Sequence, residues 1–177
     1  MSKLLMLDLD GTVRTPLIEA KFISNPRDQQ IIPEAADAIA RYQDWAIVGI
    51  TNQAGVAAGH KSLENAIAEQ KYTLELCLGL QAIYFCPDYE GRQCYYLNSF
   101  DRVVAVHETW HKYDYLIGTY RKPNPGMLQL AMLHEGWSEK FSNILYVGDR
   151  SEDEQAAKNA GVKFVWANDW YNSEGEQ

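Results

Sequence analysis

Cysteine is scarce in this 177-residue chain: Cys77, Cys86 and Cys94 form neither an even disulfide framework nor a paired CxxC zinc pattern. Reduced thiols fit the cytosol, so a cytoplasmic protein is expected. Basic charge is in deficit too, with 16 Lys and Arg against 24 Asp and Glu and a formal net charge of −8. That balance opposes a broad electrostatic grip on a nucleic-acid backbone, and leaves nucleic acid only as a substrate held in a local groove. No apolar run approaches the ~20 residues of a membrane span, and the first residues lack the basic start, apolar middle and small-residue cleavage site of a signal peptide. No membrane partner is expected. Internal repeats, low-complexity runs and linker-like composition are also missing, and nothing assigns an oligomeric state.

What remains is ordinary globular composition, 46% hydrophobic and 23% charged, at a length that suits one domain over residues 1–177. Strand and helix signals alternate. "KLLMLDL" reads as a first strand, followed by a helix over 33–44 with Pro33 in its first turn, a second strand at "AIVGIT", a long helix begun by Ser62 and a third strand at "AIYFC". "NPGMLQLAMLHEG" offers Asn124 as N-cap, Pro125 at the first helical position and Gly136 as the stop. "NILYVGD" is the fourth strand. Ser151 and Glu154 have capping-box spacing, Gly161 supplies the next stop, "VKFVW" is the fifth strand and "NSEGEQ" a frayed tail. Such alternation predicts an α/β, Rossmann-like three-layer sandwich around a parallel sheet of about five strands. The tyrosine-rich stretch 87–121 has no period and reads as a lid-like insertion after the third strand, a short hairpin or lid over the crevice. No large cap fits between Asp10 and Thr51, because that span of about 40 residues already holds a turn, a flap and a helix of about 11 residues.

In parallel sheets the chemistry collects beyond the carboxyl ends of the strands. The unusual residues lie there: Asp8 and Asp10 end strand one, Thr51 and Asn52 end strand two and Asp149 ends strand four, with Lys122 in the loop before the "NPGM" helix. Alternation along an extended strand would turn Asp8 and Asp10 toward the same space. Converging carboxylates repel and desolvate badly, and a divalent cation resolves the conflict. Mg²⁺ suits oxygen ligands completed by a substrate phosphate, so Asp8, Asp10 and Asp149 form the candidate metal set, with Asp8 and Asp149 its natural core. Lys122 and Thr51 would hold the remaining phosphate oxygens. Asp8 would attack phosphorus to form an aspartyl phosphate, while Asp10 protonates the leaving oxygen and then activates water.

"DLDGT", "ITNQAG", "RKPNPGM" and "VGDRSED", in this order, resemble the four signature motifs of the haloacid dehalogenase (HAD) superfamily of phosphatases. "TNQAG" with "RKPNPGM" is most similar to the subgroup containing heptose bisphosphate phosphatases, histidinol phosphatases and the 3′-phosphatase domain of polynucleotide kinase-phosphatases. The resemblance implies the same roles for Asp8, Asp10, Thr51, Lys122 and Asp149. It adds Arg121 and Asn52 as substrate contacts and Asp153 as a group that orients a metal-bound water or the lysine. Asp153 equally suits the first turn of a helix, where an acid favours the dipole. Thr51 equally suits a strand as a β-branched residue. Sugar-phosphate members of the subgroup often carry a Cys-x-His…Cys-x-Cys zinc loop; "CPDYEGRQCYY" keeps Cys86 and Cys94 but has Asp88 and Tyr96 at the other two positions. A second zinc pattern, Cys86 and Cys94 with His107 and His111, has too wide a first gap.

The reading is an Mg²⁺-dependent phosphatase acting on a small, sugar-type phosphate monoester. A polynucleotide 3′-phosphatase is the alternative, favoured by the likeness of "AKFISNPRDQQIIPEA" to that group; a non-catalytic phosphate binder would have no need of Asp10.

Overall fold

The structure, a computed structural model, describes residues 3–20, 22–134 and 143–173. The expected stop at Gly136 and the last four residues of the tail lie outside them. The first strand, β1 (Leu4–Leu7), is buried at every position. Alternation divides it between two layers: Leu4 and Met6 join one apolar core, Leu5 and Leu7 the other. The first core is covered by the helices α4 (Gly126–His134) and α5 (Ser151–Ala160), the second by α1 (Pro33–Ile39), α2 (Leu63–Leu76) and α6 (Ala167–Asn172). This is the expected three-layer α/β architecture.

Among the described residues the sheet has seven strands, the expected five parallel ones and two more. Its parallel part contains the five anticipated strands in the order β5 (Ala82–Cys86), β4 (Ala46–Asn52), β1, β8 (Ile144–Gly148), β9 (Lys163–Trp166). Two antiparallel strands, β6 (Tyr95–Asn98) and β7 (Val103–Ala105), extend it beyond β5. They come from the 87–121 insertion and form a short hairpin at the edge of the sheet. After the hairpin come α3 (Val106–Thr109) and a 3₁₀ turn at His111–Leu116, which pack on the first core. Alternation in the hairpin sends Tyr96 and Val104 into the first core and Leu97 into the second, so both faces of the added strands are covered. A short hairpin, β2 (Arg14–Pro16) with β3 (Gln29–Ile31), forms the flap after β1.

Helix ends follow local chemistry. Ser62 caps α2 by accepting from the Asn65 N–H at 3.1 Å, and Gly161 ends α5 at φ 71°. The α1 helix stops at Ile39, short of residue 44, in a series of turns that buries Tyr42 and Trp45. At α5 the capping pair is Arg150 and Asp153, not Ser151 and Glu154, because Ser151 is already helical; the Arg150 N–H donates to the Asp153 carboxylate at 3.1 Å. No helix among the described residues is long and apolar enough to cross a membrane.

Candidate active site

Strand order builds the site. With β1 between β4 and β8, the ends of three adjacent strands deliver Asp8, Thr51 and Asp149 to one crevice, where connections leave β1 in opposite directions. Asp8 continues the ladder by donating its N–H to the Val147 carbonyl at 2.9 Å. The chain then turns sharply, and the Leu9 carbonyl accepts from the N–H groups of Thr12, Val13 and Arg14. Gly11 makes the turn possible at φ 93°, and a Cβ there would overlap Asp149 Oδ2. The DGT turn and Asp149 are thus packed backbone against carboxylate.

Lys122 is the junction of the site and is almost wholly buried. Its Nζ donates to Asp8 Oδ1 and Asp153 Oδ1, each at 2.6 Å, to the Tyr146 hydroxyl at 3.1 Å and to the Ile50 carbonyl at 3.2 Å. The Tyr146 hydroxyl donates to the same Asp153 oxygen at 2.8 Å. Asp153 therefore serves both purposes weighed from sequence: one oxygen caps α5 and the other holds the lysine. Asp8, Asp149 and Asp153 each offer an oxygen, all within 4.8 Å of one another. Burial, reinforced by the charge of Asp153 and opposed by Lys122, raises the Asp8 carboxyl to about 7. Burial also raises Asp149. Lys122 is held charged well above its ordinary range by Asp8, Tyr146 and Asp153, although burial opposes it.

The acidic cluster differs in one member from the expected set: Asp153 stands with Asp8 and Asp149, while the carboxylate of Asp10 is engaged elsewhere. β1 ends at Leu7, so the strand alternation that would align Asp10 with Asp8 no longer applies within the turn. Asp10 Oδ1 accepts from Arg14 Nε at 2.8 Å; Oδ2 accepts from Gln53 Nε2 at 3.1 Å and the Thr51 hydroxyl at 3.3 Å. Burial pushes this carboxyl up, but the Arg14 guanidinium prevails and holds it below the ordinary aspartate value. Thr51 is thereby brought to Asp10. The Asn52 amide donates to the Lys122 carbonyl and accepts from the Lys122 N–H, both at 3.1 Å. This two-point clamp fixes the lysine backbone. Arg121 stacks over the Tyr89 ring at 5.5 Å, with its Nη1 buried and lacking a hydrogen-bond partner.

In the Cys86–Cys94 loop, Asp88 acts as an anchor where the zinc-loop pattern has a histidine. Its carboxylate accepts from the Arg92 N–H at 2.9 Å, the Gln93 N–H at 3.1 Å and the Cys86 thiol at 3.2 Å. Burial raises the Cys86 and Cys94 thiols far above their ordinary range, which suits neutral thiols.

The donor set near Asp8 is all oxygen and predominantly anionic, with one buried ammonium bonded to two of the three carboxylates. That excess negative charge fits a hard divalent cation and does not fit a soft one. Sequence reasoning passed over Arg14, Gln53, Glu69 and Tyr146. Two carried a signal: Gln53 lies within the "ITNQAG" motif, and Glu69 is an acid on the helical face that also holds Ala66 and Thr73.

A family model described as polynucleotide kinase 3 phosphatase matches residues 3–171. The D-glycero-D-manno-heptose-1,7-bisphosphate 7-phosphatase of Thermosynechococcus vestitus is 32% identical over 164 residues, covering 88% of this chain and 73% of the relative. The D-glycero-beta-D-manno-heptose-1,7-bisphosphate 7-phosphatase of Haemophilus ducreyi is 30% identical over 168 residues, covering 91% and 80%. Among solved structures, D,D-heptose 1,7-bisphosphate phosphatase from B. bronchiseptica, complexed with magnesium and phosphate, aligns with a TM-score of 0.63 at 27% identity and covers 92% of this chain and 78% of that one.

Proposed function

Because the chain belongs to the polynucleotide kinase 3 phosphatase family and is a HAD-type phosphomonoesterase, we propose that it is Mg²⁺-dependent, forms an aspartyl phosphate on Asp8 and takes a small sugar-type phosphate as substrate. The observation that carries this reading is Lys122, shared between Asp8 and Asp153 beside Asp149. Asp8 and Asp149 would hold the cation, with Asp10, the third expected member, on the adjoining turn, while Asp153 orients Lys122 or a metal-bound water. When bound it offsets the charge of the carboxylates and of the substrate phosphate.

The residues of the chain divide the remaining work. A carboxylate oxygen of Asp8 bonds to phosphorus as the bond from phosphorus to the ester oxygen breaks. Asp10 gives its proton to that departing oxygen. Water then attacks phosphorus, Asp10 takes the water proton, and the bond to Asp8 breaks to release phosphate. In the resting site Asp10 is ionised beside Arg14; the arriving phosphate anion raises its proton affinity, it takes up one proton from the substrate's phosphate monoanion or from solvent, gives that proton to the departing oxygen, and is then ionised again to accept the water proton. Lys122 neutralises charge at Asp8, and Arg121, at the position the resemblance gives to a substrate contact, would meet a second anionic group of the substrate. Thr51 and Asn52 act by holding Asp10 and Lys122.

The named relatives act on a heptose bisphosphate, which favours a sugar phosphate for this chain. The family description favours the second reading, a phosphorylated 3′ end of nucleic acid. We read residues 1–177 as one domain and place it in the cytoplasm, where free Cys77, Cys86 and Cys94 stay reduced. Turnover of heptose 1,7-bisphosphate and of a 3′-phosphorylated oligonucleotide, measured side by side with Mg²⁺, tests the substrate. Preference for the oligonucleotide would reverse the assignment. Asp8→Asn at wild-type turnover would falsify the covalent route.

A further inference from the structure

The partners of Asp10 lead away from the crevice and return to it. Arg14, which donates from Nε to Asp10 Oδ1, donates from Nη2 to Glu69 Oε1 at 2.8 Å. The other Glu69 oxygen accepts from Lys61 Nζ. Lys61 also donates to Gln53 Oε1 at 3.3 Å, and Gln53 Nε2 completes the circuit on Asp10 Oδ2 at 3.1 Å. The five side chains form a closed ring, Asp10–Arg14–Glu69–Lys61–Gln53, anchored on the turn after β1, the loop after β4 and helix α2.

The ring has two anions and two cations and is neutral as a unit; its Arg14–Glu69 arc is deeply buried, while the Asp10 side chain, at the crevice, is 39% exposed. Arg14 is 0% exposed, Glu69 2% and Gln53 4%. Ion pairs this deep are a poor source of stability, since desolvation consumes most of their attraction, and well-packed apolar residues would serve the core as well. What the ring supplies is direction. Each Asp10 oxygen receives a bond from a different arc, so rotation of the carboxylate would break both together. Arg14 is itself held on its far side by the Thr73 hydroxyl and by Gln29 of the flap, at 3.4 Å.

We propose that Glu69 and Lys61, neither of which touches the reacting atoms, are positioning residues that set the orientation of the Asp10 carboxylate, through Arg14 on one oxygen and Gln53 on the other. The proposal rests on the acid/base reading of Asp10. A carboxylate that must give a proton to one oxygen and later take one from water needs its plane fixed toward the scissile bond.

The test uses the full chain with Mg²⁺ and two substrates, an activated aryl phosphate and a sugar phosphate, on Glu69→Gln, Lys61→Met, Asp10→Asn and Asp10→Asn/Lys61→Met. Loss of proton donation hurts a poor leaving group most. Expected for Lys61→Met and Glu69→Gln is a kcat on the sugar phosphate lowered about 10–100-fold, part of the 10²–10⁴ that acid/base catalysis supplies. KM should stay within about 3-fold, and the aryl phosphate should lose less than the sugar phosphate. In the Asp10→Asn background, Lys61→Met should cost almost nothing further, because the group it positions is gone. A ring that only supports the fold would lower both substrates by one factor and add its cost in either background, and either result overturns the proposal. If Asp10→Asn itself shows no leaving-group dependence, the acid/base reading falls and the proposal with it. If Asp10→Asn shows it and the ring variants do not, the proposal alone falls. Should Glu69→Gln fail to fold, Lys61→Met, at the more accessible arc, decides by the same criteria.

Discussion

Replacing Lys122 with methionine keeps the length of the side chain and removes the cation between two buried carboxylates. The lysine is 2% exposed and bonds Asp8 and Asp153 at 2.6 Å each. Without it, two carboxylates that desolvation already penalises face each other unpaired, and the Tyr146 hydroxyl and Ile50 carbonyl each lose a donor. Breaking a buried pair by removing one partner costs about 3–5 kcal/mol. At about 2–4 °C per kcal/mol for a chain of this size, Lys122→Met should lower Tm by about 6–20 °C in chelator near pH 8. The loss should shrink near pH 5, because Asp8, raised to about 7, then carries a proton that relieves the repulsion. Thermal melts of both proteins at the two pH values, each with chelator and with excess Mg²⁺, measure this directly. A fall of less than about 3 °C near pH 8, or an equal fall at both pH values, would refute the electrostatic account of the site.

Without Mg²⁺, wild-type stability should decline from pH 4 to 7: folded Asp8 binds its proton more tightly than the unfolded residue, so the stability it contributes in acid is lost as pH rises toward about 7. Mg²⁺ should flatten that slope, and a Tm profile unchanged by the metal would count against the cation site. Gly11→Ala combines a Cβ at φ 93° with an overlap on Asp149 Oδ2, and calorimetric Mg²⁺ affinity should weaken about 10–100-fold. Asn52→Ala removes both bonds to the Lys122 backbone and should cost about 1–3 kcal/mol in denaturant melts; a full-strength lysine site in that variant would show that the clamp is dispensable. A rapid quench of Asp10→Asn with a labelled aryl phosphate should trap phosphoenzyme, and its absence together with a normal rate would leave Asp10 without an acid/base role.

Much of the architecture is local and therefore legible in sequence. The β1 run Leu4–Leu7 is apolar on both faces because both are covered, and Ser62 and Gly161 mark helix ends through their own backbone chemistry. Asp8, Lys122 and Asp149 could be assigned to one crevice because parallel strands place their carboxyl ends together. Tertiary structure decided what each side chain does there. Asp10 left the strand pattern because the strand had ended at Leu7, and only the packed turn shows it bonded to Arg14 instead of the acidic cluster. Asn52 turned to the Lys122 backbone, 70 residues away in sequence, and Asp153 reached the same lysine through one turn of α5. Periodicity reports which face of an element is buried. The direction of a buried polar group depends on where its partners arrive from distant parts of the chain, as Glu69 meets Arg14 from helix α2.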